Sequence, residues 1–412
     1  MTPAPTLAFP RSQRQLLGSV IDSSTSLLAE QTHDIVRFAM GAPNEDLMPI
    51  AALDDAFASQ RSGRFDYGDS AGEPRLREQI LRLVGETEVA TTDDRLLVTT
   101  GGMQGLDLAF KLCVDPGDLV IVEAPTYTNG NATALSYGAE VIGAPTDAHG
   151  LIVDGLPEIV ARAGRTPKAI YTIPNFQNPM GVTLTRERRV RLLELAERWG
   201  AMIIEDDPYG LLRFGGEHVA SFAEIAPGHP LVFQVRTFSK TIAPGLRVGW
   251  IDVDPELRQL AISAKQAMDT CTGVPAQNAV AMFLENGHLA PHIERLKPIY
   301  RERKIAMRRE LERAFGDRAV ATDPDGGFFL WVTFAGALES IDTEALFTDA
   351  LAEGVAYIPG PAFTTDGSMR NSLRLCFATS SPERIAEGVD RLARAAALAV
   401  PGAGLPTVGG SS

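Results

Sequence analysis

The chain has 412 residues, of which 45% are hydrophobic and 22% charged, as in a well-packed protein with room for a large and a small domain. The formal charge of −14 and the absence of a lysine-arginine block exclude a general nucleic-acid binder. No apolar run reaches the roughly 18 residues that a membrane span needs, and the first twenty residues contain no apolar signal core. We therefore predict a cytoplasmic protein with no nucleic-acid or membrane partner.

Cysteine and histidine spacings do not predict a metal site. The cysteines are odd in number and far apart, at Cys113, Cys271 and Cys376, which argues against a disulfide framework or a zinc knuckle. His288 and His292 have a helical spacing of four, but a proline lies between them and no glutamate is placed as in zinc proteases. We expect free thiols and no metal.

Short apolar runs alternate with helical patterns from about residue 95 to 253. This alternation predicts an α/β fold whose large domain has a mainly parallel, seven-stranded sheet covered by helices on both faces. The predicted strands are 96–98, 119–122, 140–142, 169–173, 202–205, 231–235 and 248–253. One covering helix is predicted at Arg186–Trp199, with Thr185 placed to cap it.

The pattern changes after a charged helix predicted at 291–315. Strands at 328–333, 355–358 and 373–377 and helices at 345–351 and 382–397 then predict a smaller α+β domain. The predicted organisation is an N-terminal segment near the active site, a large cofactor-binding domain, a small C-terminal domain and a flexible tail. Their bounds are 1–50, 51–290, 291–400 and 401–412.

Lys240 has neighbours that suit a covalent cofactor. A lysine amine condenses with an aldehyde, and the hydroxyls of Thr237 and Ser239 with the guanidinium of Arg247 suit a phosphate on the same molecule. Pyridoxal phosphate carries both groups. The alternative interpretation is a solvated surface lysine followed by a Pro-Gly turn.

A glycine-rich turn follows the first predicted strand. Residues 99–106 contain Gly101, Gly102 and Gly105 and open a helical pattern, so their backbone N–H groups can approach a phosphate. Dinucleotide binding is an alternative, because Glu123 ends the next strand where a ribose-binding acid would lie. The spacing, however, is not G-x-G-x-x-G.

Polar residues also follow other strands of the predicted sheet. Asn178 comes after the strand at 169–173, and Asp206 and Tyr209 come after the strand at 202–205. The carboxyl ends of parallel strands are where open α/β sheets bind ligands. A carboxylate for a ring nitrogen, donors for a ring oxygen and a stacking ring at Tyr127 would complete a pyridine-aldehyde site. Each motif alone could be an ordinary Asn-Pro or Asp-Pro turn.

Taken in order, these motifs resemble those of the fold type I, class I and II pyridoxal-phosphate aminotransferases. The motifs are the Gly-rich turn, Pro-x-Tyr, Asn-Pro-x-Gly, Asp-x-x-Tyr, Ser-Lys with an arginine seven residues on, and a late Asn-x-x-Arg. The resemblance is strongest to the 2-aminoadipate and kynurenine aminotransferases and the aminotransferase-like domain of MocR regulators. It covers about residues 35 to 395.

The resemblance implies how each residue meets the cofactor. Lys240 would bind pyridoxal phosphate covalently and move a proton, Asp206 would pair with the ring nitrogen, and Tyr127 would cover the ring face. Asn178 and Tyr209 would bond to the ring oxygen. The phosphate would be surrounded by Gly102, Met103, Gln104, Thr237, Ser239 and Arg247.

The resemblance also implies the substrate contacts and a dimer. Arg374 would bind the substrate α-carboxylate, Gly41 would bring an N-terminal backbone against the substrate, and Tyr67 would reach the phosphate in the partner subunit. Two departures stand out. Met103 replaces a small hydroxyl residue, and Met40 begins a Met-Gly-Ala-Pro segment where relatives have Gly-Gly-Leu-Pro, which changes the wall near the substrate side chain.

The sequence therefore predicts a homodimeric aminotransferase with shared active sites. It would move the amino group of an L-amino acid to a 2-oxo acid, with 2-oxoglutarate expected, by a ping-pong mechanism. Elimination, cyclisation or oxidation of an amino acid on the same scaffold is one alternative. A non-catalytic, cofactor-sensing regulator is another, but it would carry a basic DNA-binding domain ahead of a region that here begins almost at Met1.

Overall fold

The computed structural model of the protein describes residues 32–60 and 65–402. Residues 1–31 of the predicted N-terminal segment and residues 403–412 of the predicted tail lie outside the described residues. Within the described ranges, no helix is long and apolar enough to cross a membrane.

The described residues form fourteen strands and twelve α-helices. The strands are β1 (Val36–Arg37), β2 (Leu96–Thr99), β3 (Leu119–Ala124), β4 (Glu140–Asp147), β5 (Gly150–Leu151), β6 (Ala169–Thr172), β7 (Met202–Asp206), β8 (Val232–Thr237), β9 (Gly249–Asp252), β10 (Ala319–Ala321), β11 (Phe329–Phe334), β12 (Val355–Ala356), β13 (Ile358–Pro359) and β14 (Ser372–Cys376). The helices are α1 (Ile50–Ala58), α2 (Pro74–Thr87), α3 (Gly102–Cys113), α4 (Thr128–Ser136), α5 (Leu156–Ala163), α6 (Arg186–Trp199), α7 (Phe222–Ile225), α8 (Pro255–Met268), α9 (Val274–Glu285), α10 (Leu289–Phe315), α11 (Thr343–Ala352) and α12 (Pro382–Ala399).

The large sheet has the order β2-β9-β8-β7-β6-β3-β4-β5. The pairings from β8 through β7, β6 and β3 to β4 are parallel, whereas β9 is antiparallel to both β2 and β8. All seven predicted strands are present, and the two-residue β5 adds an eighth at the edge through a hairpin with β4. The prediction of a mainly parallel sheet is confirmed.

Helices cover both faces of the large sheet, as predicted. Apolar residues of α3 pack with one set of strand side chains, and those of α5 and α6 pack with the set on the other face. The predicted cap of α6 is present, because the Thr185 hydroxyl accepts a hydrogen bond of 3.4 Å from the Arg188 amide. The same helix ends at Gly200, which has the left-handed backbone that terminates many helices.

A smaller antiparallel sheet, in the order β10-β11-β14-β13, follows the long helix α10. Its buried residues form one core with α10, α11 and α12. The N-terminal strand β1 pairs in parallel with β12. The chain that precedes the large sheet therefore contacts the region that follows α10. The predicted division at residue 290 falls in the first turn of α10.

Candidate active site

A cavity of about 690 Å³ lies beside the carboxyl ends of several large-sheet strands and is closed by β14 and the segment at residues 37–41. Open α/β sheets bind ligands at this edge. Most of the predicted site residues line it, namely Gly41, Gly102, Met103, Tyr127, Asn178, Asp206, Tyr209, Thr237, Ser239, Lys240, Arg247 and Arg374. Gln104 and Tyr67 do not.

The turn between β2 and α3 brings backbone donors to one end of the cavity. Gly101 precedes α3 with a φ of 77°, and a Cβ placed on it would lie 2.3 Å from an Arg247 nitrogen. Arg247 itself has a left-handed backbone, with φ 52° and ψ 49°. The guanidinium therefore packs against the turn, beside the N–H groups of Gly102 and Met103, which begin the helix and have no intrahelical acceptor. This arrangement suits a phosphate.

Two hydroxyls complete that end of the cavity. The Thr237 and Ser239 hydroxyl oxygens are 2.8 Å apart, and the Ser239 amide donates to the Thr237 hydroxyl over 3.1 Å. Arg247 Nη1 donates to the Ser239 hydroxyl over 3.4 Å. Three of the residues predicted around the phosphate, Thr237, Ser239 and Arg247, are therefore adjacent in space.

The Gln104 side chain points to a different network. Its Oε1 accepts hydrogen bonds from the Thr100 amide and from Lys265 Nζ, at 2.8 and 2.7 Å, and its Nε2 donates to Asp269 over 2.7 Å. The side chain thus fixes the glycine-rich turn against α8. Only the Gln104 backbone amide, in the first turn of α3, is left for a phosphate.

Asp206 ends β7 and is buried. Its Oδ2 accepts a hydrogen bond of 2.9 Å from the Tyr171 hydroxyl, while no described residue bonds to Oδ1. Burial raises the pKa of the Asp206 carboxyl to about 7, and the bond from Tyr171 and the charge of Lys240 oppose that rise. A cation placed at the free oxygen would favour the ionised form.

The neighbouring Asp207 has a different environment. Its Oδ1 accepts from the amides of Tyr209 and Gly210, at 3.2 and 2.7 Å, and its Oδ2 accepts from Asn175 Nδ2 at 2.6 Å. Asp207 also lines a separate cavity of about 280 Å³ rather than the one that contains Asp206. Its bonds stabilise the turn around Pro208.

Lys240 lies three residues beyond β8, with its amine in the cavity. Nζ donates a hydrogen bond of 2.6 Å to the Gly41 carbonyl. Burial lowers the pKa of the Lys240 amine to about 8, and the charges of Arg374 and Arg247 act in the same direction. The neutral, nucleophilic form of this amine is therefore accessible near neutral pH.

Arg374, in the middle of β14, is buried and held on several sides. Nη1 donates to Asn178 Oδ1 over 2.9 Å, and Nη2 donates to the Ala39 carbonyl over 2.7 Å. The guanidinium lies 4.3 Å from the centre of the Phe329 ring and 5.1 Å from that of Phe363. Nε is buried without a partner in the described part of the chain, which suits a carboxylate ligand.

Tyrosines form two further walls. Tyr209 is buried against Phe328 and Phe329, and burial keeps the pKa of its phenol well above the usual value, so the hydroxyl remains a donor. The Tyr127 hydroxyl donates to the Met103 sulfur over 3.6 Å and accepts from Asn129 over 3.2 Å. The unusual Met103 therefore contacts the predicted ring-stacking residue.

Tyr67 lies away from this cavity and is 87% exposed, and Phe65 beside it is 91% exposed. The loop that carries them is held at Gly68, whose amide donates to the Cys271 sulfur over 3.3 Å. Large aromatic side chains are rarely left this exposed unless they meet a partner. Tyr67 therefore does not contribute to the site of its own chain.

Glu123, which favoured the dinucleotide alternative, is not available to a ligand. The buried carboxylate accepts hydrogen bonds from the Thr172 hydroxyl at 2.6 Å, from Gln177 Nε2 at 3.0 Å and from the Ile173 amide at 3.3 Å. Burial raises the pKa of Glu123 to about 7. Its contacts stabilise the loop before Asn178, so the acid required for a ribose is engaged elsewhere.

Sequence reasoning missed Tyr171, the hydrogen-bond donor to Asp206. It lies in β6 among aliphatic residues, and its ring passes so close to α4 that a Cβ on Gly130 would lie 2.6 Å from it. A tyrosine in a fully buried strand needs a partner for its hydroxyl, and that requirement was the available signal. The identity of the partner depends on the pairing of β6 with β7.

The donors present suit a phosphorylated pyridine aldehyde. One end offers helix amides, hydroxyls and Arg247, the middle offers an amine of lowered pKa, and Asp206 has an oxygen free for a ring N–H. A Cβ at Gly101 would clash with the Arg247 guanidinium, so the position of that guanidinium depends on the glycine. Fold and cavity together are those of a pyridoxal-phosphate enzyme.

Comparisons with known proteins identify the family. The model of aminotransferase class I and II matches residues 33–392. Aromatic-amino-acid aminotransferase 1 of Thermococcus litoralis is 35% identical over 401 residues, which are 95% of each protein. The 2-aminoadipate transaminase of Thermus thermophilus is 34% identical over 394 residues, covering 94% of this chain and 96% of that one. The crystal structure of Pyrococcus horikoshii kynurenine aminotransferase aligns with a TM-score of 0.89 and 33% identity, covering 95% and 97% of the two chains.

The chain belongs to the class I and II aminotransferases. It is an enzyme that transfers an amino group, its cofactor is pyridoxal phosphate, and its fold is that of the fold type I enzymes. The family and cofactor predicted from the sequence are confirmed.

Proposed function

We propose that the protein transfers the amino group of an L-amino acid to a 2-oxo acid, with 2-oxoglutarate as acceptor, in a ping-pong cycle. The observation that carries this proposal is that Lys240 and Arg374 bond to the same short segment, at the Gly41 and Ala39 carbonyls. A reactive amine and a cation for a carboxylate are thus held close together. Amino acids and 2-oxo acids share an α-carboxylate, so one arginine serves both half-reactions.

Pyridoxal phosphate, when bound, supplies an aldehyde carbon that takes up the amino group and a ring that withdraws electrons from the substrate Cα. We assign its ring nitrogen to Asp206, because the free Oδ1 of that residue faces the cavity. Asn178 and Tyr209 are assigned to the ring oxygen. Asn178 accepts from Arg374 through Oδ1, which leaves its amide N–H groups to donate. Tyr127, which lines the cavity, is assigned to the ring face.

The phosphate is assigned to Arg247, to the two hydroxyls after β8 and to the first amides of α3. These amides belong to Gly102 and Met103, with Gln104 contributing through its backbone alone. The helix end and the guanidinium both favour a dianion. This part of the protein binds and orients and takes no part in proton transfer.

Lys240 is assigned to move the proton between the substrate Cα and the carbon that accepts nitrogen. Because burial lowers the pKa of its amine to about 8, Nζ can accept and return a proton near neutral pH. Its bond to the Gly41 carbonyl holds Nζ on the side of the cavity that faces Arg374. Gly41 is therefore assigned to the wall against the substrate.

The exposed Tyr67 supports a homodimer in which each subunit completes the site of the other. We assign the Tyr67 hydroxyl to the phosphate bound by the partner subunit. Mixing a Tyr67→Phe variant with a Lys240→Ala variant is expected to restore activity in heterodimers, because one site in each is then intact. No recovery despite measured subunit exchange would contradict shared sites. Cytoplasmic location stays a prediction from the sequence.

The test of the proposed function separates the two half-reactions. Holoenzyme is mixed with a panel of L-amino acids without an acceptor, and loss of the cofactor's visible absorption marks amino transfer to the cofactor. 2-Oxoglutarate added after removal of the amino acid is expected to restore the absorption and to yield glutamate by mass spectrometry. An oxygen electrode records the same samples, and no oxygen uptake is expected.

The same measurements decide between this function and its alternatives. Ammonia release with no recovery by any 2-oxo acid would indicate elimination, and a cyclic product detected by mass spectrometry would indicate cyclisation. Steady oxygen consumption driven by an amino acid would indicate oxidation. Any of these results would overturn the proposed transfer to a 2-oxo acid.

A further inference from the structure

The cavity holds more positive charge than the proposed roles require. Among the described residues that line it, four are basic, namely Arg37, Lys240, Arg247 and Arg374, and only Asp206 is acidic. The proposed function assigns Arg247 to the phosphate, Arg374 to the α-carboxylate and Lys240 to the reacting amine. Arg37 has no role in that scheme, although an unpaired guanidinium attracts anionic ligands into a cavity.

The backbone of Arg37 is fixed, while its side chain has no hydrogen-bond or ion-pair partner in the described part of the chain. Arg37 pairs with Ala356 in the β1-β12 ladder, and its carbonyl accepts from the Thr379 hydroxyl over 3.3 Å. The side chain is exposed, and none of the residues that the structure describes forms a hydrogen bond or ion pair with its guanidinium. The cation is thus held at one place on the cavity wall with its donors available.

Strand alternation directs Arg37 to the cavity. Val36, Phe38 and Ala39 are buried in the core of the smaller sheet, whereas Arg37, the last residue of β1, is exposed and lines the cavity. The Ala39 carbonyl accepts the 2.7 Å hydrogen bond from Arg374. Two residues of chain span at most about 7 Å, so the backbone of Arg37 lies within about 7 Å of the residue to which Arg374 bonds. Arg37 and Arg374 are therefore neighbours on the same side of the cavity.

The rest of that wall does not oppose a second carboxylate. Met40, Thr128, Asn129 and Ile358 line the cavity and carry no charge, and the single acidic residue, Asp206, lies at the end of β7 on the large-sheet side. A carboxylate that reached Arg37 would meet no like charge among these neighbours. A guanidinium binds a carboxylate through two parallel N–H donors, which gives selectivity as well as affinity.

We propose that Arg37 binds the side-chain carboxylate of dicarboxylic substrates and so makes this aminotransferase selective for acidic amino acids and their 2-oxo acids. This inference rests on the proposed function, because Arg374 must hold the α-carboxylate for Arg37 to face the side chain. Arg37 acts in specificity alone. It is placed to contact the far end of the substrate and not the reacting atoms.

The test compares glutamate with norleucine, an uncharged donor with a side chain of similar length, for wild type and for Arg37→Ala, Arg37→Lys and the control Arg301→Ala. Arg301 is an exposed arginine of α10, so its variant removes the same charge at a distance. We expect Arg37→Ala to lower kcat/KM about tenfold or more for glutamate and to leave norleucine nearly unchanged. Arg37→Lys should fall between wild type and Arg37→Ala, and the control should match wild type.

Binding provides a second measurement that does not require turnover. Calorimetric titration of holoenzyme with glutarate and with hexanoate is expected to show that Arg37→Ala weakens glutarate about tenfold and leaves hexanoate unaffected. Equal effects on both ligands, or none, would overturn the inference. So would a wild type that uses norleucine but not glutamate.

Failure of the proposed function gives a different result. In that case no amino acid passes its nitrogen to a 2-oxo acid in wild type, whatever residue stands at position 37. The glutarate titration then still decides whether Arg37 forms a carboxylate site. Turnover of norleucine with unchanged glutamate preference in Arg37→Ala would remove only the Arg37 assignment.

Discussion

The two sides of the cavity are built in different ways. The part of the cofactor side around Lys240 is local in the chain, since Thr237, Ser239, Lys240 and Arg247 all lie from the last residue of β8 to just before β9. The substrate side joins distant segments, because Arg374 bonds to Ala39 and to Asn178, which are 335 and 196 residues away. A local site leaves a motif in the sequence, whereas a site assembled from distant segments is defined only by the fold.

The two sides of the cavity are expected to differ in how well they tolerate substitutions. The cofactor side depends on buried groups with several partners each, so a single change there disturbs a chemical requirement. The substrate side includes exposed Arg37 and Met40 on a segment whose backbone is held by other residues. Such positions change specificity at little structural cost. The comparison predicts large effects on the cofactor side and smaller, substrate-dependent effects on the other.

The largest effect is expected from a substitution of Asp206, for which the neighbouring Asp207 is the control. Asp206→Ala should lower turnover about 10³-fold, because removing one member of a buried ion pair costs about 3–5 kcal/mol. Asp207→Ala removes the bonds to Asn175, Tyr209 and Gly210 and should lower the free energy of unfolding by about 1–3 kcal/mol with a far smaller loss of turnover. Steady-state kinetics and thermal unfolding measure the two effects. Equal and mild losses of turnover in both variants would contradict the assignment.

Arg374→Lys probes the substrate side at its centre. A lysine keeps the charge but cannot offer two parallel donors. We therefore expect transition-state stabilisation to fall by about 2 kcal/mol, which lowers kcat/KM about 30-fold. The loss should be similar for the amino donor and for the 2-oxo acid, because both carry the α-carboxylate. Separate kinetics of the two half-reactions measure it. An effect confined to one substrate would show that Arg374 holds something other than the shared carboxylate.

Tyr171→Phe removes one hydrogen bond on the cofactor side and keeps the shape of the aromatic ring. The Asp206 carboxylate then loses a donor at 2.9 Å. We expect the activation free energy to rise by about 1 kcal/mol, which is about a fivefold lower kcat. Tyr137→Phe is a matched control, since its hydroxyl bonds to Asp107 outside the cavity. Without that bond the pKa of Asp206 rises further in the protein free of cofactor, which a pH titration followed by NMR can detect. An unchanged Asp206 pKa in Tyr171→Phe would contradict the contact.

The smallest effect is expected from a change of pH in the wild-type protein. Because burial lowers the pKa of Lys240 to about 8, the fraction of neutral amine rises as pH rises through that value. The rate at which cofactor-free protein takes up pyridoxal phosphate should therefore increase with pH and level off above a midpoint near 8. Stopped-flow absorbance from pH 6.5 to 10 measures this rate. Free Nα-acetyl-lysine, which keeps its side-chain amine, is the reference for ionisation of the cofactor. A midpoint near that of the free lysine would contradict the lowered pKa.

Much of the fold could be predicted because its signals are local. Buried parallel strands leave continuous apolar runs, and all seven runs became strands of the large sheet. The strand of the large sheet that was not predicted, β5, has only two residues, too few to form a pattern. The predicted ends differ by one or two residues in most strands, because ends depend on pairing with a neighbour.

The site could be predicted in part for the same reason. The residues around Lys240 form a motif, and the Asp-x-x-Tyr spacing includes Asp206 and Tyr209 but not Asp207. The role of Tyr171 depends on the register of β6 with β7, and that of Arg37 depends on the pairing of β1 with β12, over 300 residues later. Gln104 was predicted among the residues around the phosphate, and its side chain bonds to Lys265 and Asp269, which no local pattern indicates.

The most direct test of the account is the chemical identification of the residue that holds the cofactor. Borohydride reduction of holoenzyme makes the bond between cofactor and amine permanent, and peptide mapping then locates it. We predict the label on Lys240, and in Lys240→Ala we predict cofactor bound through its phosphate contacts, no labelled peptide and no turnover. A label on any other lysine of the wild-type protein would contradict the account.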